Sequence, residues 1–236
     1  MSISNKLKMI FVLGMFVSAS ISADALSIRV LEGGVPVADY QSLVEEGLRL
    51  GNSELLRTAW NHYKDAIDFN EDESFASCSY LELGKIYFYL SLLNCSTDED
   101  YNIAESYIRK ALDEYPDEAE AHRALGLIFA GHGAYMDAYE ELSLALRLNP
   151  TNSMVICDMA SLHLALHQPD KTIEYLEKLN GKNNGWSQVV LAMAYSQKEL
   201  NGRAYLALKR AENFGYKGYW VEKMKDTLKE KLGFKL

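Results

Sequence analysis

Two short stretches of the chain, residues 111–116 (ALDEYP) and 145–150 (ALRLNP), end in prolines that stand 34 residues apart. Each pairs Ala with Leu, which favour a helix, shortly before a proline, which cannot continue one. The two stretches therefore predict two helix ends in the same place within a repeated unit. A self-similar period of this length is typical of stacked two-helix repeats and constrains the fold more strongly than the composition does.

Small residues upstream of the second proline support this interpretation. Ala138 and Ala145 are seven positions apart, which places them on one face of a helix where a neighbouring backbone can approach closely. Gly126 offers the same close approach one helix earlier, and Gly131 and Gly133 break the chain between the two helices. The segment therefore predicts a helix, a turn and a second helix.

This pattern resembles the tetratricopeptide repeat, a helix–turn–helix unit of 34 residues. In residues 117–150 the matching positions are Leu125, Gly126, Phe129, Ala138, Leu142, Ala145 and Pro150. Weaker copies bring the repeats to five, near 40–73, 77–116, 117–150, 153–184 and 185–216, with extra residues in the second copy around 95–102. The resemblance implies an all-α, right-handed solenoid of helical hairpins over residues 40–218.

The C-terminal residues 219–236 are predicted to cap this solenoid. Val221, Met224, Leu228 and Leu232 recur at helical spacing with Glu and Lys between them, so the segment reads as an amphipathic helix over 219–233. Residues 26–39 show no helical period and are predicted to form an extended lead-in.

The first 25 residues have the layout of a secretory signal peptide. Lys6 and Lys8 precede an uncharged apolar run at 9–17, and Ala23 and Ala25 fit a small-x-small cleavage site. The uncharged segment is shorter than the roughly 20 residues that a membrane-spanning helix needs. The sequence therefore predicts an exported protein, periplasmic or secreted and most consistent with a bacterial envelope, without stable membrane insertion after cleavage.

The charge balance bears on the partner. The chain has 24 Lys and Arg against 33 Asp and Glu, a net charge of −9. Phosphate backbones are bound by clustered cations, so nucleic acid is not expected as a partner.

The search for chemistry yields one metal-like pattern. His163 and His167 are four residues apart, a spacing that shares a helix face, but the repeat register places His163 at a packing position and His167 at the turn between two helices, which favours core and turn histidines over metal ligands. The intervening residues 164–166 are Leu-Ala-Leu and supply no acidic general base. No phosphate-binding loop or nucleophile elbow appears either. A non-catalytic protein without a cofactor is the resulting prediction, with a metal-binding protein using His163 and His167 as an alternative.

The resemblance also implies a concave groove lined by the first helix of each repeat. Carried over by register, the groove residues are Val44, Leu48, Leu81, Lys85, Phe88, Tyr89, Arg123, Leu127, Met154, Cys157, Trp186, Val189, Met193 and Gln197. This lining is apolar and aromatic, with Lys85 and Arg123 as two isolated cations, and it suits an amphipathic helix or an extended apolar segment. The sequence therefore favours a scaffold that docks a protein or peptide, with a structural homo-oligomer assembled through the solenoid ends or the C-terminal helix as the other alternative.

Overall fold

The computed structural model describes residues 42–44, 53–69, 73–93, 98–179, 184–215 and 219–233. All regular secondary structure within these ranges is helical. The predicted signal peptide (1–25), the predicted lead-in (26–39) and the groove residue Leu48 lie outside the described residues. By their internal contacts the residues divide into two units, Met1–Pro150 and Thr151–Leu236.

Among its described residues, unit 1 contains five consecutive helices from Ser53 onwards, each packed against the next. They are α1 (Ser53–Phe69), α2 (Glu73–Leu93), α3 (Asp98–Glu114), α4 (Ala119–His132) and α5 (Tyr135–Leu148). In addition, α2 contacts α4 directly, although α3 separates them in the chain. The predicted helical hairpins of residues 77–116 and 117–150 thus correspond to the pairs α2–α3 and α4–α5.

Glycine brings the helices of each pair together at one recurring position. A Cβ atom on Gly126 would lie 2.7 Å from Cγ of Leu142, and one on Gly84 would lie 2.5 Å from Cδ1 of Ile108. Both distances are too short for any side chain. The two glycines therefore let a large apolar residue of the second helix pack against the backbone of the first.

Turn residues end the helices where the repeat pattern predicts. Pro116 and Pro150 both lie in turns, two residues beyond the ends of α3 and α5. Gly133 ends α4 in the left-handed conformation (φ 95°) and donates its N–H to the carbonyl oxygen of Ala130, an arrangement that glycine adopts without strain.

The extra residues of the second repeat lengthen its helices. The segment 95–102 was predicted as an insertion between the helices, but α3 already begins at Asp98. As a result α2 and α3 have 21 and 17 residues, against 14 each for α4 and α5. The acidic residues at the start of α3 suit this role, because they lie at the positive end of the helix dipole.

Unit 2 contains α6 (Ser153–Ala165), α7 (Pro169–Glu177), α8 (Gly185–Gln197), α9 (Asn201–Asn213) and α10 (Tyr219–Lys231). Consecutive helices pack on one another, and α6 also contacts α8. An asparagine caps the N-terminus of α6 and of α8. Asn152, before α6, accepts from the N–H of Met154 (2.9 Å), and Asn184, before α8, forms a reciprocal capping box with Ser187.

Threonine replaces the small residue at one helix-pair contact of unit 2. Thr172 is fully buried on α7, and its hydroxyl donates to the carbonyl oxygens of Ala160 (3.1 Å) and Gln168 (3.2 Å). A buried hydroxyl is tolerated when it is hydrogen-bonded. This explains how the weaker repeat 153–184 keeps its two helices together.

The C-terminal helix α10 docks on α9 through a narrow apolar stripe and one buried cation. Val221 and Leu228 are buried, whereas Leu232 lies exposed in the turn that follows the helix. The Lys225 ammonium donates to the carboxylates of Glu212 on α9 and of Glu222 (3.3 Å). Across the described ranges, none of the helices has the length and apolar character needed to span a bilayer.

Candidate functional site

The first helices of two repeats, α2 and α4, bring four charged side chains of unit 1 to neighbouring positions. Lys85 Nζ lies 2.7 Å from Oε1 of Glu82 on α2, and an Arg123 guanidinium nitrogen lies 2.7 Å from Oε1 of Glu120 on α4. In both pairs the glutamate precedes the cation by three residues, so the two side chains share a helix face. The cluster of Glu82, Lys85, Glu120 and Arg123 is hereafter called the charge cluster.

This arrangement corrects the sequence prediction that Lys85 and Arg123 are isolated cations. Each is paired with a glutamate on its own helix. The spacing Glu-x-x-Lys at 82–85 and Glu-x-x-Arg at 120–123 is visible in the sequence and could have revealed both pairs. With two cations and two carboxylates, the charge cluster has no net charge.

Two members of the charge cluster, Lys85 and Glu120, are held in their charged forms by their neighbours. Burial opposes the charge of Glu120, but Arg123 and Lys85 outweigh it and hold the pKa of the Glu120 carboxyl below its ordinary value. Burial likewise opposes the charge of Lys85, but Glu82 and Glu120 outweigh it and raise the pKa of the Lys85 ammonium. The interaction of Lys85 with Glu120 couples the two helices electrostatically, in addition to their packing.

Aromatic residues lie one turn beyond Lys85 on the same helix. The rings of Phe88 and Tyr101 are 6.1 Å apart, and burial raises the pKa of the Tyr89 hydroxyl. Three residues of the charge cluster and two of these rings border a shallow cavity, which is lined by Lys85, Phe88, Tyr89, Glu120, Arg123, Ala124, Leu127 and Ile128.

The predicted groove residues of unit 1 differ in how much of their surface is accessible. Val44, Phe88, Tyr89, Arg123 and Leu127 are buried. Leu81 and Lys85 are half-buried and lie one helical turn apart on α2. The structure therefore brings Lys85, Phe88, Tyr89, Arg123 and Leu127 together around the cavity, and it leaves Leu81 and Lys85 as the accessible groove residues among them.

The predicted groove residues of unit 2 are mostly packing residues. Cys157, Trp186 and Val189 are buried between helices, while Met154 and Met193 are half-buried. The exposed Gln197 has a structural contact, because its Nε2 donates to the carbonyl oxygen of Leu164 at 3.2 Å. This hydrogen bond ties the end of α8 to the end of α6, so Gln197 contributes to helix packing as well as to the surface.

The metal-like histidine pair does not form on one helix face. Helix α6 ends at Ala165, and His167 lies in the following turn with a positive φ of 56°. His163 is buried, stacks on Tyr175 with ring centroids 5.2 Å apart, and its Nδ1 lies 3.0 Å from Oε1 of Gln168. The helical spacing on which the metal hypothesis rested is therefore absent. Over the part of the chain that the structure describes, His, Cys, Asp and Glu form no group of three or more that could hold a metal ion.

Comparison with solved structures identifies the fold. A thermophilic tetratricopeptide-repeat protein from Thermus thermophilus superposes with a TM-score of 0.63 at 16% identity, covering 80% of this chain and 98% of that one. PilF from Pseudomonas aeruginosa gives 0.60 at 18% identity, covering 84% and 85% of the two chains. A tetratricopeptide-repeat protein from Parabacteroides merdae gives 0.56 at 16% identity, covering 81% and 78%.

These likenesses confirm the predicted all-α fold of tetratricopeptide-repeat type. At such low identities they establish the fold alone. No protein-family model matches the sequence, and no curated protein matches it significantly.

Proposed function

We propose that this chain is a non-catalytic scaffold of the bacterial cell envelope that docks a segment of another protein on the first helices of unit 1. The tetratricopeptide-repeat fold supports this proposal, because the family resemblance implies a binding groove on those helices. Among the described groove residues of unit 1, Leu81 and Lys85 on α2 are the two whose side chains remain accessible.

The charge cluster is the observation that carries the proposal. Its two cations are each held by a glutamate on the same helix, so their side chains are ordered before any partner arrives. Binding to ordered groups loses less conformational entropy than binding to mobile ones. A rigid polar site beside Leu81 can therefore orient a segment that places an apolar residue on Leu81.

The net neutrality of the charge cluster also indicates what kind of partner segment would bind. A site with two cations and two carboxylates does not select a strongly charged tail. It offers both donors and acceptors, which suits a mixed segment with one apolar anchor and flanking polar groups. In unit 2 the half-buried Met154 and Met193 offer further apolar contacts.

Affinity capture from the native envelope tests the docking surface. The full mature chain and its Leu81→Asp variant serve as baits, because a charge at this half-buried position disrupts an apolar contact. Met193→Asp tests the contribution of unit 2. The matched control is Leu166→Asp, which introduces the same change at an exposed turn after α6. The proposal expects a partner that the wild type and the control retain and that Leu81→Asp loses; identical profiles for all baits would contradict it.

Export is part of the same proposal and has its own test. It is supported by the basic, apolar and small-residue pattern of residues 6–25, which lies outside the described residues. N-terminal sequencing of the mature protein is expected to begin at residue 24 or 26. A mature chain that begins at Met1 would overturn the export proposal without affecting the docking surface.

A further inference from the structure

The outward side of α5 in unit 1 combines apolar and acidic side chains. Met136 is 73% exposed and Tyr139 is 39% exposed. Asp137 and Glu140 lie exposed beside them. These four residues, hereafter the acidic face, point away from Ala138 and Leu142, which are fully buried. Large apolar residues exposed between carboxylates are typical of a surface that binds a partner.

The outward side of α9 in unit 2 combines apolar and basic side chains. Leu206 is 56% exposed, with Arg203 about one turn before it and Lys209 and Arg210 about one turn after it, all exposed. Phe214, also 56% exposed, follows the end of the helix. These five residues are hereafter the basic face. It is unexpected in a chain with a net charge of −9.

Among the described residues, no ion pair neutralises either face, although the exposed Arg147 follows Glu140 by two turns on the same side of α5. Within the described ranges, Asp137 and Glu140 form no ion pair, and neither do Arg203, Lys209 and Arg210. Two of the cations contact aromatic rings instead: Arg203 lies 5.9 Å from the Tyr195 ring centroid and Lys209 lies 5.4 Å from that of Tyr205. These contacts hold the cations along the surface while leaving their charge uncompensated.

The two faces occupy equivalent places in their repeats. Asp137 immediately precedes the buried Ala138 of α5, and Arg203 immediately precedes the buried Ala204 of α9. The same side of the second helix is thus acidic in one repeat and basic in another. Because both helices present their charges around exposed apolar residues, the faces are complementary in chemistry.

We propose that the basic face of α9 in one copy of the chain binds the acidic face of α5 in a second copy. The occupant is a second copy because the chain itself supplies the complementary charge on a helix of the same kind. The contact joins two different faces. Two copies that bind each other through both faces form a closed dimer, whereas copies that bind through one face each leave a face available, so that the assembly grows into a ring or a filament. Its residues are separate from the charge cluster, so self-association and partner docking can fail independently.

Sedimentation velocity of the mature chain over a range of concentrations tests this proposal. The mean mass of the wild type is expected to rise with concentration at low salt and to fall again at about 0.5 M salt, since exposed charges are screened there. Two reversal variants are compared with it: Asp137→Lys/Glu140→Lys, and Arg203→Glu/Arg210→Glu. Each is expected to weaken association about tenfold or more. The control Arg57→Glu/Lys171→Glu makes the same charge change as the second variant at exposed sites outside both faces.

Mixing the two reversal variants gives the sharpest outcome. In Asp137→Lys/Glu140→Lys both faces are basic, and in Arg203→Glu/Arg210→Glu both faces are acidic, so each variant alone is expected to stay monomeric. In the mixture the basic faces of one variant meet the acidic faces of the other, and association is expected to recover. A wild type that stays monomeric throughout would overturn the proposal, as would reversal variants that associate like the wild type or a mixture that does not recover. Binding of a monomeric wild type to phosphatidylglycerol vesicles, lost in Leu206→Asp, would assign the basic face to lipid instead and would also overturn it.

Discussion

His122 on α4 and Glu141 on α5 are joined at 2.6 Å between Nδ1 and a carboxylate oxygen, while Nε2 of the same ring lies 2.7 Å from the carbonyl oxygen of Pro116. A carbonyl oxygen only accepts, so Nε2 donates to Pro116, while Nδ1 forms the second hydrogen bond with the Glu141 carboxyl group. The histidine therefore links both helices of the hairpin to the turn that precedes them. It occupies a position where the family pattern usually has tryptophan.

We expect this link to contribute to the stability of unit 1. Replacing His122 with Phe removes both hydrogen bonds, and replacing Glu141 with Gln exchanges a carboxylate acceptor for a weaker amide one, so each should lower the free energy of unfolding by about 0.5–1.5 kcal/mol. A double-mutant cycle by urea denaturation should show a coupling energy of about 0.5 kcal/mol or more. Glu140→Gln, on the exposed side of the same helix, is the control and should change stability by less than about 0.5 kcal/mol. Additive effects of the two substitutions would refute the link.

Gly126 is predicted to be intolerant of any side chain. Its Cβ would lie 2.7 Å from Leu142, so Gly126→Ala should force α4 and α5 apart and cost about 1–3 kcal/mol. Gly202 on α9 is the matched control, since a Cβ there meets no atom within 4 Å. Gly202→Ala should instead stabilise the helix by up to about 1 kcal/mol. Thermal unfolding of both variants checks the prediction, and equal effects at the two sites would contradict the proposed close packing.

His163 predicts a pH dependence of unit 2. Burial lowers the pKa of the His163 imidazole below its ordinary value of 6.5 in the folded state. As the pH falls, His163 therefore takes up its proton more readily in the unfolded chain than in the folded one. The stability that the neutral, buried imidazole contributes is lost as the pH falls from about 6.5 through the pKa of the folded state. Urea unfolding between neutral and mildly acidic pH should show this loss. His163→Tyr should flatten that part of the profile, whereas His132→Gln, at an exposed site, should leave it in place; an unchanged profile in His163→Tyr would exclude His163 as its source.

Lys225 is predicted to fix the C-terminal helix α10 on α9 through the packing of its aliphatic side chain as well as through its ammonium group. The side chain is buried, and although burial opposes its charge, the hydrogen bonds to Glu212 and Glu222 raise the pKa of the ammonium group. Lys225→Met keeps the apolar stem and removes the charge, whereas Lys225→Ala removes both. Hydrogen exchange in α10 should accelerate in both variants and more strongly in Lys225→Ala. Equal exchange in the wild type and Lys225→Ala would show that Val221 and Leu228 hold the helix without it.

The fold was predictable because its signals are local and repeated. Gly126 and Leu142 show why: the combination of a glycine on one helix and a large apolar residue on the next recurs as Gly84 and Ile108, although the extra residues of the second repeat set the latter pair further apart in the chain. The two hairpins α2–α3 and α4–α5 thus solve the same packing problem with the same residue types. The fold class could therefore be read from the sequence by comparing the repeats with one another.

The site was predictable only in part. The Glu82–Lys85 and Glu120–Arg123 pairs follow from a three-residue spacing that the sequence displays. In contrast, the hydrogen bond from Gln197 to Leu164 joins residues 33 apart on different helices, and no local pattern signals it. The metal hypothesis failed for a local reason: Pro169 disfavours a helix through the residues before it, so α6 ends before His167.

Site-specific photo-crosslinking in the native envelope tests the docking surface most directly. A photoreactive phenylalanine analogue placed at Leu81 would lie on the accessible part of α2, and the same analogue at Leu166 would lie on an exposed turn of unit 2. We predict a discrete crosslinked partner from position 81 that is absent from position 166. Absence of a crosslink at position 81, or the same products from both positions, would contradict a partner bound on the first helices of unit 1.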